Sequence, residues 1–150
     1  MEGYSIISAI LNSKIPIDIY IDGIAASIAG VIAMCGDSCT TKDYGTWMGH
    51  EAAGGEDERV RNMVTDTLVT VLTNRTKKTP EDIKAMLAKE TWISNSRHAD
   101  YTLEQGVQMG MFDAIESSGK KVTIKRTESL TNMALIYNSL LTTTPKMEKI

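Results

Sequence analysis

The sequence lacks several features that mark well-known protein classes. Its two cysteines, Cys35 and Cys39, are too few for the disulfide framework of a small extracellular domain, so we expect two buried thiols in an intracellular chain. The longest nearly apolar stretch, residues 23–36, is shorter than the roughly 18–20 residues that a membrane helix needs. No basic segment with a cleavage site opens the chain. These absences predict a cytoplasmic protein without a membrane partner.

The chain also lacks an excess of positive charge and the usual motifs for cofactors. Lys and Arg number 16 against 19 Asp and Glu, and the net charge of −3 excludes the basic footprint of a nucleic-acid-binding domain. No glycine-rich phosphate loop occurs, and the two cysteines have no further ligands at the spacing of structural zinc. We therefore expect no nucleotide cofactor, no metal ion and no nucleic-acid partner.

The charges that are present divide the chain unevenly. Residues 1–118 carry ten basic and seventeen acidic groups, or −7, whereas residues 119–150 carry six basic and two acidic groups, or +4. The second segment also contains one apolar helical stripe, formed by Leu130, Met133, Ala134, Tyr137, Leu140 and Leu141. The sequence predicts a domain over residues 1–118 and, over residues 119–150, a basic segment with an amphipathic helix. That helix either folds back on the domain or docks on an assembly partner.

Alternating strand and helix patterns predict an α/β fold with one sizeable core. The predicted helices cover residues 4–12, 24–34 and 57–75, and two more begin at the capping residues Thr79 and Thr102. The predicted strands cover residues 16–21, 44–49, 112–115 and 121–125. The helix over residues 24–34 is apolar on every side and is expected to be buried.

Two residues stand where catalytic groups are common in α/β proteins. Ser27 is the only hydroxyl in the apolar stretch, and it falls in the first turn of the predicted helix, where free backbone N–H groups stabilise an oxyanion. His50 ends a predicted strand and begins a glycine-containing loop. The alternatives are a serine that caps or packs the helix and an exposed loop histidine.

Four motifs, in order, resemble the Clp protease proteolytic subunit family, in particular its phage-type branch of head maturation proteases. The segment GIAASIAG contains Ser27 and is similar to the family's nucleophile motif, while WMGHEAAGG contains His50 and is similar to its histidine motif. Residues 89–94, KETWIS, and residues 102–113, TLEQGVQMGMFD, resemble two later family segments. The resemblance covers roughly residues 3–116 and implies a ClpP/crotonase-like fold of stacked ββα units.

The resemblance implies a serine endopeptidase with Ser27 as nucleophile and His50 as general base. The orienting acid is less clear, because about eight additional residues lie between Ser94 and Thr102. Counting forward from Thr79 places Glu90 at the family's acid position, and the ETW context supports it. Counting back from Gly110 places His98 at that position, and Asp100, two residues away, is the alternative acid.

The family also has two strands and an oxyanion loop ahead of the first helix. The sequence begins where that loop is already past, so its N-terminal strands are expected to be missing, and the backbone N–H of Ile28 is the remaining oxyanion donor. The activity of this short form is thus left open.

The resemblance further implies polypeptide substrates, in particular capsid and scaffold precursors, and a homo-oligomeric ring that encloses the active sites. A phage-encoded enzyme of this kind acts in the host cytoplasm or the prohead. Two alternatives remain: a housekeeping Clp peptidase that works with an ATPase unfoldase, and an assembly protein that has kept the fold and lost the chemistry.

Overall fold

Strands and helices alternate along residues 2–119, the part of the chain that the computed structural model describes. This region is a mixed α/β arrangement of five helices and six strands. The helices are α1 (Glu2–Leu11), α2 (Ile28–Ala33), α3 (Glu58–Arg75), α4 (Pro80–Ala88) and α5 (Leu103–Gln108). The strands are β1 (Asp18–Ile21), β2 (Ile24–Ala26), β3 (Ser38–Lys42), β4 (Thr46–Gly49), β5 (Thr91–Ser94) and β6 (Ala114–Glu116).

The strands form two three-stranded sheets. The first sheet has the order β1-β3-β6 and is wholly parallel, while the second has the order β2-β4-β5, with β2 and β4 parallel and β5 antiparallel to β4. The first four strands alternate between the sheets, since β1 and β3 join the first and β2 and β4 join the second. Each β-β-α unit, first β1-β2-α2 and then β3-β4-α3, thus adds one strand to each sheet.

The predicted helix over residues 24–34 is wrong at its start. Residues 24–26 form β2, whose Ile24 pairs with Thr46, and the helix begins only at Ile28. A uniformly apolar stretch satisfies the period of a strand and of a helix equally, so hydrophobicity did not separate the two. The expected burial is also incomplete, because Ile24 is 73% exposed and Ile28 is 39% exposed.

Besides β2, two further strands were not predicted from the sequence. These are β3, which has little apolar character, and β5, which is only four residues long. The predicted strand over residues 121–125 and the apolar stripe from Leu130 to Leu141 lie outside the described residues.

Capping explains why the later helices begin where the sequence predicts. Thr79 accepts a hydrogen bond from Asp82 N–H and Thr102 accepts one from Gln105 N–H, and each forms a reciprocal capping box. Asp57 caps α3 in the same way through Arg59 N–H.

Apolar side chains from the helices and both sheets form the core, in which Trp47, Leu72, Ile83, Leu87, Ile93 and Leu103 are almost inaccessible to solvent. The first half of α3 is less well covered, because Val60 is 53% and Met63 is 61% exposed. Cys35 and Cys39 are buried and unpaired, as the sequence predicts. Within residues 2–119, no helix has both the length and the apolar character needed to cross a membrane.

Candidate active site

Ser27 occupies the sharp junction between β2 and α2. Its backbone lies at φ 56° and ψ −125°, in a region that residues with a side chain rarely adopt. Its N–H donates to the carbonyl of Met48 on the neighbouring strand at 2.9 Å, which extends the β2–β4 pairing by one residue. Its side chain makes no capping bond to the helix, so the alternative of a capping serine is wrong.

His50 follows β4 directly and meets Ser27 at the carboxyl ends of two adjacent parallel strands. The register pairs Ala26 with Met48, so the residues that follow these strands emerge at the same edge of the second sheet. Nε2 of His50 lies 2.8 Å from Oγ of Ser27, within hydrogen-bond distance. The ring is half-buried, which distinguishes it from an exposed loop histidine.

The start of α2 stands immediately beside this pair. The first hydrogen bond of the helix runs from Val31 N–H to Ser27 O at 3.2 Å, so the N–H of Ile28 precedes it and has no acceptor within the helix. A helix N-terminus of this kind attracts negative charge. The predicted oxyanion donor therefore lies next to the predicted nucleophile.

Gly30 and Trp47 hold α2 against β4. A Cβ atom at Gly30 would lie 2.6 Å from the backbone oxygen of Met48, so only glycine permits this approach. The indole N–H of Trp47 donates to Gly30 O at 2.9 Å from a fully buried position. Sequence reasoning singled out neither residue for this role, although Gly30 lies in the nucleophile motif and Trp47 in the histidine motif.

A cleft of about 180 Å³ opens in front of the Ser27–His50 pair. Its other walls are mostly apolar and consist of Ile28, Glu51, Ala52, Ala53, Val64 and Leu68. The loop after His50 is fixed to the body by two backbone bonds, from Glu51 N–H to Leu87 O at 3.2 Å and from Ala52 N–H to Thr65 Oγ1 at 3.1 Å. The pair therefore faces a small, open and largely apolar pocket.

The structure does not bond either predicted acid to His50. The carboxylate of Glu90 accepts a hydrogen bond from the indole N–H of Trp92 at 3.2 Å. The carboxylate of Asp100 accepts one from the backbone N–H of Trp92 at 2.8 Å and faces Lys89 at 3.6 Å. Trp92 is thus a shared partner of both acids, which sequence reasoning noticed only as part of the ETW segment.

A second polar cluster lies at the amino ends of the first sheet. The carboxylate of Asp113 pairs with the guanidinium of Arg75 and accepts the backbone N–H of Cys39 at 2.7 Å. Burial raises the pKa of Asp113, but the bonds from Cys39 and Arg75 outweigh it and lower the pKa below the ordinary 3.8. Burial also raises the pKa of the Cys39 thiol to about 11.

Comparison of the chain with protein-family models and with curated proteins finds no match. The roles of Ser27 and His50 are therefore inferred from their geometry and from the sequence motifs. Among residues 2–119, no group of three or more His, Cys, Asp or Glu side chains converges as a metal site. A hydroxyl bonded to an imidazole at the mouth of a pocket is the arrangement of an activated nucleophile.

Proposed function

We propose that the chain is a serine endopeptidase with Ser27 as nucleophile and His50 as general base. The observation that carries the proposal is the 2.8 Å contact between Oγ of Ser27 and Nε2 of His50. In that geometry His50 takes the hydroxyl proton as Oγ attacks a peptide carbonyl, and returns it to the leaving amine as the acyl-enzyme forms. Water activated by the same imidazole then releases the acid product.

The start of α2 supplies electrostatic stabilisation for this reaction. The oxyanion forms on the carbonyl attacked by Ser27, and the N–H of Ile28 is the nearest backbone donor along the chain that has no helical acceptor. The left-handed backbone of Ser27 supports this role, because a strained strand-to-helix turn exposes a nucleophile at the end of a sheet.

Glu90 is the proposed third member of the triad. It precedes Thr91, which pairs with Gly49, so Glu90 and His50 are the next residues beyond the last pair of β4 and β5. Asp100 is less suited, because its carboxylate is already bonded to the backbone of Trp92 and its own N–H donates to Trp92 O at 3.0 Å.

The substrate class comes from the sequence resemblance to phage head maturation proteases. We propose a ClpP/crotonase-like fold, which the alternation of the first four strands between two sheets supports. The substrates are then capsid or scaffold precursor polypeptides, cleaved in the host cytoplasm or the prohead. A housekeeping Clp peptidase fed by an ATPase unfoldase is the second candidate. Neighbouring genes for portal and capsid proteins, or for an unfoldase, separate the two.

A homo-oligomeric ring is part of the same proposal. The exposed apolar side chains of Val60 and Met63 on the first half of α3 support it, because such residues at helical spacing are suited to packing against another copy. Sedimentation equilibrium at micromolar concentration tests this point. A mass equal to that of one chain would count against the ring.

The test of the proposed chemistry is labelling of the full chain with a fluorophosphonate probe. We expect covalent modification of Ser27, located by peptide mass spectrometry, and none in Ser27→Ala. Ser5→Ala, which removes an exposed hydroxyl on α1, is the matched control and retains labelling. Absence of labelling in the unmodified chain would contradict the peptidase and favour a catalytically inactive assembly protein of the same fold.

A further inference from the structure

Glu90 and Asp100, the two candidates for the acid of the triad, both bind Trp92 but in different ways. Asp100 bonds the backbone of Trp92, whereas Glu90 bonds only its indole N–H. Within residues 2–119, the contact with Ser27 is the one hydrogen bond that His50 makes. Nε2 of the imidazole is thus bonded to the proposed nucleophile, whereas Nδ1 has no protein acceptor within the described residues.

We propose that Trp92 is a positioning residue that controls the triad. Its indole N–H holds the carboxylate of Glu90 away from His50, and breaking this one bond allows Glu90 to accept the Nδ1–H of His50. This inference rests on the proposed serine-peptidase function. It identifies the structure as a resting arrangement in which the nucleophile and base are in contact and the carboxylate of Glu90 is not bonded to the base.

The strand register places Glu90 and His50 each one residue beyond the last pair of β4 and β5. Met48 lies directly opposite Trp92 in the antiparallel pair, and two residues further on lie His50 on one strand and Glu90 on the other. Side chains two residues apart share a face of a strand, so the register favours these four side chains on one side of the second sheet. Thr91, at the intervening position, and Trp47 and Ile93, the pair on the other side of Met48 and Trp92, are buried.

The backbone of Glu90 explains why a hydrogen bond decides where its carboxylate goes. Its φ of 56° is left-handed, so the chain turns at this residue before the strand begins. The direction of the side chain is then set by its contacts rather than by strand alternation alone. In the structure that contact is the 3.2 Å bond with Trp92 Nε1.

The same contact is also easily exchanged. Glu90 is exposed, so water competes for its single side-chain bond, whereas Asp100 is tied to Trp92 through both its carboxylate and its backbone. The carboxylate of Glu90 can therefore move without breaking the bonds that hold the backbone of Trp92. A bound polypeptide that displaces the indole of Trp92, or excludes water from this side of the second sheet, would free the carboxylate of Glu90 to bond His50 while the substrate is in place.

The experiment combines a titration of His50 with the rate of Ser27 labelling in the full chain. The chain has two histidines, so the imidazole NMR signals are assigned with His98→Gln. Trp92→Phe removes the indole N–H and keeps an aromatic ring. We expect it to raise the measured pKa of His50, because a carboxylate has approached the imidazolium, and to accelerate labelling several-fold.

The double variant Trp92→Phe/Glu90→Gln shows whether Glu90 causes the effect. We expect both gains to disappear, whereas Glu81→Gln, which removes a distant exposed carboxylate in the Trp92→Phe background, leaves them in place. Glu51, which also lines the cleft, is present in every variant, so its influence on His50 is constant. If Trp92→Phe fails to fold, Trp92→Leu replaces it in the same series.

The outcomes separate this inference from the proposed function. An unchanged pKa of His50 in folded Trp92→Phe, or a rise that persists in the double variant, overturns the role of Trp92 even when Ser27 is labelled normally. Absence of labelling in every variant contradicts the peptidase, while the titration still reports whether Glu90 reaches His50.

Discussion

The two sheets each end in a polar cluster, and the clusters differ in how completely their groups are bonded. In the first sheet Asp113 is fixed by Arg75 and by the backbone of Cys39, and its own N–H donates to Cys39 O at 2.8 Å. In the second sheet His50 bonds only the side chain of Ser27 within the described region, and the carboxylate of Glu90 accepts only one bond, from the indole N–H of Trp92.

This difference indicates where the chain builds structure and where it keeps groups available for chemistry. A carboxylate with several partners stabilises the fold and is costly to move, because each lost partner leaves a polar group unsatisfied. A nucleophile and base with one contact between them can exchange it for a substrate. The firmly bonded Asp113 is therefore at the amino ends of the first sheet, and the candidate site is at the carboxyl ends of the second.

The largest effect is expected from substitution of His50, the proposed general base. His50→Gln should slow fluorophosphonate labelling of Ser27 by about 100-fold or more, because general-base catalysis contributes on the order of 10²–10⁴. His98→Gln changes the other histidine, which is exposed, and should leave the rate unchanged. Equal losses of labelling rate in the two variants would contradict a specific role for His50.

The close approach of α2 to β4 gives the next effect. Gly30→Ala places a methyl group against the backbone oxygen of Met48 and should lower the free energy of unfolding by about 1–3 kcal/mol. It should also slow labelling, since the start of α2 moves with Ser27. Gly23→Ala is the control, because a Cβ there meets nothing within 4 Å. Urea unfolding measures both, and equal midpoints would contradict the packing argument.

The first-sheet cluster gives a smaller effect that depends on pH. Asp113→Asn should reduce stability by about 1 kcal/mol at pH 7, a modest value because this side chain is half exposed. The pKa of Asp113 is lowered in the folded state, so its stabilisation is complete above the unfolded pKa near 3.8 and is lost as the pH falls through the lower folded value.

The two chains should therefore converge in stability below about pH 4. Asp66→Asn serves as the comparison, because Asp66 pairs with Lys84 on an open surface and contributes little. A stability difference for Asp113→Asn that stays constant down to pH 2 would show that the carboxylate charge is not its source.

The smallest effect is expected from the buried thiols. With the pKa of Cys39 raised to about 11, only about 0.1% of this thiol is ionised at pH 8, and the side chain is fully buried. Iodoacetamide at pH 8 should therefore leave the labelling of Ser27 unchanged. Loss of labelling in step with alkylation of Cys39 would place that thiol in contact with the site.

Local signals account for the elements that the sequence predicted well. The start of α4 follows from Thr79 and Pro80, and the start of α5 from Thr102 and Gln105, because capping depends on residues three positions apart. The pairing of Ser27 with His50 was expected from the two motifs, and the structure brings these side chains together.

The features that the sequence did not predict, the start of α2 and the identity of the acid, depend on contacts between strands that are distant in sequence. Residues 24–26 become a strand because β4 is beside them, and an apolar stretch alone does not show this. The identity of the acid was likewise undetermined, since the position of Glu90 relative to His50 comes from the β4–β5 register and its hydrogen bond from the rotamer of Trp92.

The strand order also has a consequence for the sequence of folding events. In the first sheet Asp18 pairs with Ser38 across 20 residues, whereas Thr40 pairs with Ala114 across 74. Closing the longer loop costs about 1 kcal/mol more in chain entropy, so we expect β6 to join last. The strands that carry Ser27 and His50 are complete by residue 50. During synthesis Ser27 can therefore meet His50 while Glu90 and β6 are still to be made.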